Sequence, residues 1–233
     1  QPNRVVLVTM MKCVYILLFM LLMPSLNVGA VQIYTDMPDD INPQQQYVIY
    51  SHGLIVEGDN ATPVSQEYGV YDFPAIKAAL FSGAEFNLIA HHRAKDTDIA
   101  EYTAQLESWV LQLLNAGVKP SRISLVGFSR GGYLTALASS RLAEHQINTV
   151  LLAACSDGDI RRQDDNVKLG GHLLSIYETT DFAGSCNQLA QRSRLLSFTE
   201  IAITTQRKHG AFYQPLPEWL EPVKTWLKQR LAD

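Results

Sequence analysis

Several things are scarce in this sequence, and each scarcity removes a class of protein. Its 19 basic and 23 acidic residues leave a net charge of -4, with no basic stripe and no block of like charge. That excludes a nucleic-acid surface and a charged disordered tail. No internal repeat and no low-complexity stretch occurs, so solenoids and fibrous chains are out. Cysteine is rare, at three residues, and no Cys or His falls at zinc-ligand spacing. No apolar run reaches the roughly 20 residues that span a bilayer. What is present is a 47% hydrophobic, 18% charged composition, which reads as a globular chain with a sizeable core. Its 233 residues suit one domain, and no composition shift marks a second.

The first 30 residues stand apart. Met11-Lys12 opens a short basic stretch, and Val14 to Met23 is an almost unbroken apolar run. Pro24 and Ser25 break it, and Asn27-Val28-Gly29-Ala30 supplies a cleavage site. This is the layout of a secretory signal peptide, with cleavage expected after Ala30. Gln1 to Thr9 precede Met10 and Met11 and read as upstream sequence rather than structure. The expected organisation is therefore residues 1–30 as upstream residues plus signal peptide and residues 31–233 as the domain. The expected location is secreted or periplasmic, with no stable membrane insertion after cleavage. Export permits disulfides. Cys13 falls in the leader, which leaves Cys155 and Cys186 as an even pair.

Along the domain, short apolar runs alternate with helical patterns. Tyr47–Tyr50, Phe86–Ala90, Ile123–Val126, Thr149–Ala154, His172–Tyr177 and Phe198–Thr204 read as strands, with Val31–Tyr34 as an edge strand. Near-continuous apolar runs of this length fit strands covered on both faces of a parallel sheet. Pro74–Phe81 reads as a helix with proline in its first turn. Asp98 and Glu101 have capping-box spacing ahead of Ile99, Tyr102, Leu106, Trp109, Val110 and Leu113, which share one helical face. Arg130–Leu142 forms a third helix. Val223, Trp226, Leu227 and Leu231 line a closing one that starts near Pro222. The expected class is α/β: a mostly parallel sheet of about six to seven strands with helices on both faces.

The chemistry centres on Gly127-Phe128-Ser129-Arg130-Gly131, followed by Gly132. This is G-x-S-x-G between a strand and a helix, the context in which the pattern carries meaning. A sharp strand-to-helix turn strains the serine backbone and leaves room only for minimal neighbours. It also lifts the hydroxyl above the sheet, where the helix N-terminus favours developing negative charge. A serine needs a base. His209, in Lys208-His209-Gly210-Ala211-Phe212, follows the last strand and so lies at the same sheet edge as Ser129. The base needs a carboxylate. Asp181 is the first choice, a short turn past Tyr177 and ahead of His209. Glu178, Asp157 and Asp159 are alternatives. The oxyanion of an acyl-transfer intermediate needs two backbone N–H donors. Arg130 supplies one, and the loop Ser51-His52-Gly53 the other, through Leu54. His52 itself is read as holding that loop. His91 and His92 are adjacent on a strand and point to opposite faces, so with Asp96 and Asp98 they make no metal site, and the segment reads as a rim loop.

Together these segments resemble the α/β-hydrolase superfamily, in the right order across nearly the whole of residues 31–233. The resemblance implies a triad of Ser129, Asp181 and His209, and acyl transfer without a cofactor or metal. It departs from many members at Glu178, where they carry Gly. It also departs at Arg130, whose side chain is expected to salt-bridge at the surface, with a bias toward anionic substrates as the lesser expectation. The strands ahead of Cys155 and Cys186 are neighbours in that fold, which implies a disulfide tying the Asp181 loop to the sheet. Residues 156–171 leave no room for a helical cap, so an open site is expected. The implied substrate is a small-molecule or acylated polymeric ester. A peptidase or amidase with the same triad, and a non-catalytic binding domain, are the rival readings.

Overall fold

A computed structural model describes residues 30–155 and 166–230. The signal-peptide reading falls outside these residues, as do Asp157 and Asp159. The central element is a seven-stranded sheet. Its strands are β1 (Ile33–Tyr34), β2 (Gln46–Ser51), β5 (Phe86–Ile89), β6 (Ile123–Phe128), β7 (Asn148–Leu152), β8 (Gly170–Glu178) and β9 (Arg194–Ile203). They lie in the order β1-β5-β2-β6-β7-β8-β9, and every pairing is parallel. A small antiparallel hairpin, β3 (Val64–Ser65) and β4 (Gly69–Val70), stands apart from it.

Alternation along the buried strands sorts side chains to two faces. Val48 and Tyr50 of β2 meet α1 (Phe73–Phe81) and α5 (Pro217–Gln229) through Phe73, Ile76, Trp219, Val223 and Trp226. Tyr47 and Ile49 face α2 (Ile99–Asn115) and α3 (Arg130–Arg141) through Tyr102, Leu106, Trp109 and Leu134. A third cluster gathers Ala136, Leu151 and Leu173 around α4 (Asn187–Arg192) and both Cys155 and Cys186. Every residue of β2, β6 and β7 is buried, as the continuous apolar runs require. Burying each large aliphatic side chain contributes about 1.5–3 kcal/mol. Helix starts follow local chemistry. Asp72 and Asp98 accept the N–H groups of Ala75 and Glu101, each at 2.9 Å.

Most boundaries shift by one or two residues from the sequence pattern, and three of the differences are informative. The last helix starts at Pro217, which occupies its first turn, and Pro222 lies inside it. The interior proline forfeits one backbone hydrogen bond, but Trp219, Leu220, Val223, Trp226 and Leu227 are buried on one face, and packing carries the helix through. β9 starts at Arg194, four residues early, because an edge strand is only partly covered and Arg194 and Ser197 interrupt the apolar run around Leu195 and Leu196. β8 extends from Gly170 to Glu178, so Glu178 ends a strand instead of opening a turn.

Candidate active site

β6 runs straight into α3, and Ser129 is the hinge. Its φ of 52° and ψ of -120° lie where L-residues rarely go. Such strain costs about 1–3 kcal/mol and persists only when neighbours over-determine it. Here they do. The Ser129 N–H donates to the Leu152 carbonyl at 3.0 Å, and its own carbonyl accepts from Tyr133 N–H at 2.9 Å. A Cβ on Gly131 would fall on the carbonyl oxygens of Ser51 and His52, and one on Gly127 would strike the Gly131 carbonyl. Both positions therefore require glycine, and the helix start abuts the loop after β2.

His209 arrives from a 3-10 turn, Lys208–Phe212, beyond β9. Its Nε2 lies 2.8 Å from Ser129 Oγ, and its Nδ1 lies 2.7 Å from Asp181 Oδ2. The Asp181 side chain is fully buried. Its second oxygen accepts the Phe182 N–H at 2.8 Å. The structure thus brings together Ser129, Asp181 and His209, 28 and 80 residues apart along the chain by the two hydrogen bonds. Glu178, an alternative carboxylate, faces elsewhere. One oxygen accepts from the N–H and hydroxyl of Thr180, at 2.7 and 2.6 Å, and the other from the N–H groups of Thr205 and Gln206, both at 2.9 Å. Burial pushes its ionisation up, but these hydrogen bonds outweigh it and hold the carboxyl below its ordinary value. Glu178 therefore staples the turn carrying Asp181 to the loop leading to His209. A disulfide between Cys155 and Cys186, with Cα atoms 5.3 Å apart, ties the same turn to the end of β7.

The loop after β2 is held from the opposite side. Arg93, fully buried, donates through Nη2 to the His52 carbonyl at 2.5 Å and the Gly53 carbonyl at 3.4 Å. Its Nε pairs with Glu57 at 3.1 Å, and its backbone N–H donates to His52 Nε2 at 3.0 Å. His52 Nδ1 then donates to the Gly53 carbonyl at 2.8 Å. Burial, with the Arg93 charge beside it, drives His52 from 6.5 down to about 2, so the ring is neutral and holds the loop. No peptide bond here is cis. In a trans peptide the C=O and the following N–H point opposite ways. Anchoring the Gly53 carbonyl inward therefore turns the Leu54 N–H outward. It shares this edge with the Arg130 N–H, which opens α3 and has no partner within the helix.

Comparison with known proteins bears on this arrangement. No protein-family model and no curated protein matches the sequence. Solved structures do. EstE5 aligns with a TM-score of 0.55 at 12% identity, covering 84% of this chain and 80% of its own. SOBER1 of Arabidopsis thaliana aligns with a TM-score of 0.52 at 13% identity, covering 80% and 99%. A YdeN-like hydrolase of Pectobacterium atrosepticum aligns with a TM-score of 0.50 at 15% identity, covering 80% and 93%. The fold is the α/β-hydrolase fold. Ser129 lies at the strand-to-helix turn after β6, and Asp181 and His209 follow it in chain order.

Other residues were not legible from pattern. Arg93 sits in the segment read as a rim loop, and its burial depends on Glu57, 36 residues away. His91 and His92 diverge as expected, His91 Nδ1 to Asp36 at 3.0 Å and His92 Nε2 to the Val56 carbonyl at 2.7 Å. Among the described residues the Arg130 guanidinium makes no ion pair. Phe182, Tyr68 and the β3–β4 hairpin gave no signal beyond ordinary aromatic residues near turns. The imidazole of His209 lies between the rings of Phe128 and Phe182, at 4.8 and 4.7 Å.

Proposed function

We propose that this protein is a secreted serine hydrolase that cleaves carboxylic esters. The observation that carries the reading is the unbroken hydrogen-bonded line from buried Asp181 through His209 to Ser129, on a serine in left-handed backbone. Ser129 Oγ attacks the ester carbonyl carbon as His209 Nε2 takes its proton. Asp181 accepts the Nδ1–H hydrogen bond, fixes the ring and stabilises its cation. The N–H groups of Leu54 and Arg130 receive the tetrahedral oxyanion. The C–O bond to the alcohol then breaks, His209 protonates the departing oxygen, and an acyl-enzyme remains on Ser129. Water, deprotonated by His209, attacks the acyl carbon and releases the acid. No cofactor enters this chemistry.

Esters stand first because an alcohol leaves the tetrahedral intermediate more readily than an amine. E40, a solved structure with the same fold, is an esterase by name. Either a small ester or an acylated polymer is a fitting substrate. Secretion rests on the leader and is supported by the disulfide, which belongs to oxidising compartments. The test is labelling with a fluorophosphonate probe and mapping of the modified residue. Modification at Ser129, lost in Ser129→Ala and in His209→Ala, is the expected result, along with a fall in ester turnover of at least about 10⁴-fold. A folded protein that takes no label would refute the reading.

A further inference from the structure

The reaction above, on which this inference rests, fixes where the alcohol part of the ester must lie. His209 protonates the departing oxygen, so that oxygen sits within about 3 Å of Nε2, and whatever it carries lies against the rings that surround the imidazole. Those rings are apolar. Phe182 stacks on the imidazole at 4.7 Å with an interplanar angle of 29°, and it is 60% exposed. Tyr68, at the hairpin between β3 and β4, lies 5.9 Å from the imidazole and packs on Tyr213 at 5.7 Å. The hairpin is fastened to the His209 turn, with Lys208 paired to Glu67 at 3.1 Å and Gln214 donating to the Val70 carbonyl at 2.9 Å. A large phenyl ring left in water beside the base is unexplained by core packing, since its inner face already covers the imidazole.

We propose that Phe182 and Tyr68 form a shelf for the alcohol half of the substrate, and that the enzyme selects esters of flat, apolar alcohols, aryl or benzyl in type, over small aliphatic ones. Aromatic pairs contribute beyond the area they bury, so the selectivity resides in these two rings.

The experiment holds the acyl group constant. kcat/KM is measured for 2-naphthyl acetate, phenyl acetate and 2,2,2-trifluoroethyl acetate, all activated esters, in the full protein and in Phe182→Ala and Tyr68→Ala, with fluorophosphonate labelling of Ser129 run beside them. Wild type is expected to favour the naphthyl ester. Phe182→Ala should cut the naphthyl-to-trifluoroethyl ratio about five- to tenfold, chiefly through KM, while labelling of Ser129 persists. If the labelled variant turns over all three esters with the wild-type ratio, Phe182 only shields the imidazole and the shelf is overturned. If wild type itself takes no label, the hydrolase reading fails and carries this inference down with it.

Discussion

Two regions hold irregular backbone at the same edge of the sheet, and they do it with charges of opposite sign. On the β2 side, buried Arg93 grips the carbonyls of His52 and Gly53. On the β8–β9 side, buried Glu178 grips the N–H groups of Thr180, Thr205 and Gln206. The difference follows from what each loop must leave free. A cation consumes carbonyls and so leaves an N–H free, which is what the oxyanion of the proposed reaction requires. An anion consumes N–H groups and leaves none to offer, but it presents side chains, here Asp181 and His209. The second region is also tied covalently through Cys155 and Cys186, whereas the first relies on its polar cluster alone.

The sharpest break in this comparison is Arg93→Lys. It keeps the charge but loses the planar fork that reaches two carbonyls and Glu57. Loss of one oxyanion donor typically lowers kcat about 10²–10³-fold, and that fall is expected with little change in KM. Steady-state kinetics on an aryl acetate, with circular dichroism as the folding control, provides the measurement. Equal kcat in the variant would mean that the carbonyl grip does not set the donor.

Next comes the covalent tie. The Cys155→Ser, Cys186→Ser double variant opens a link across 31 residues of sequence. Its unfolding free energy should fall by about 3 kcal/mol in urea titrations. Activity should fade first at temperatures where the Asp181 turn opens and the rest of the fold persists.

Titration separates the two regions by pH. His52 is neutral in the fold, held down to about 2 from 6.5. The unfolded chain therefore binds a proton that the folded chain refuses. The stability from this site is complete above pH 6.5 and declines as pH falls toward 2. Between pH 7 and pH 5 that loss is about 2 kcal/mol, and His52→Asn should lack it. Glu178 works in a lower window. Its carboxyl is held below 4.5, so its contribution is present above that value and disappears only as pH falls beneath it. Denaturant curves at pH 7, 5 and 4 distinguish the two, and a decline that His52→Asn fails to flatten would contradict the assignment.

The smallest effect expected is from Glu178→Gln. One amide oxygen cannot replace two carboxylate oxygens that accept four hydrogen bonds, and the NH₂ group then faces donors. A loss of about 1 kcal/mol in stability is expected. The larger interest lies in whether the kcat pH profile shifts while KM stays constant, since that would show His209 displaced from Asp181.

Much of the site could be read along the chain because its requirements are local. A serine in left-handed backbone between a strand and a helix forces Gly127 and Gly131, and the pattern G-x-S-x-G records that steric fact directly. Fully buried strands leave continuous apolar runs, which is why β2, β6 and β7 were plain and the half-covered β9 was not. His209 and Asp181 were legible by position, because a parallel sheet brings every strand's C-terminal end to one edge.

By itself, the sequence determined the class of fold, the strand-to-helix turn that holds Ser129, and the order in which Asp181 and His209 follow it. Each depends on residues adjacent in the chain or on a period set by the backbone. Only the tertiary structure decided which carboxylate reaches His209, why Glu178 does not, that Arg93 is buried, and that Phe182 covers the base while facing water. Those outcomes join residues tens of positions apart, and no local pattern encodes a hydrogen bond whose two ends are brought together by the packing of everything between them.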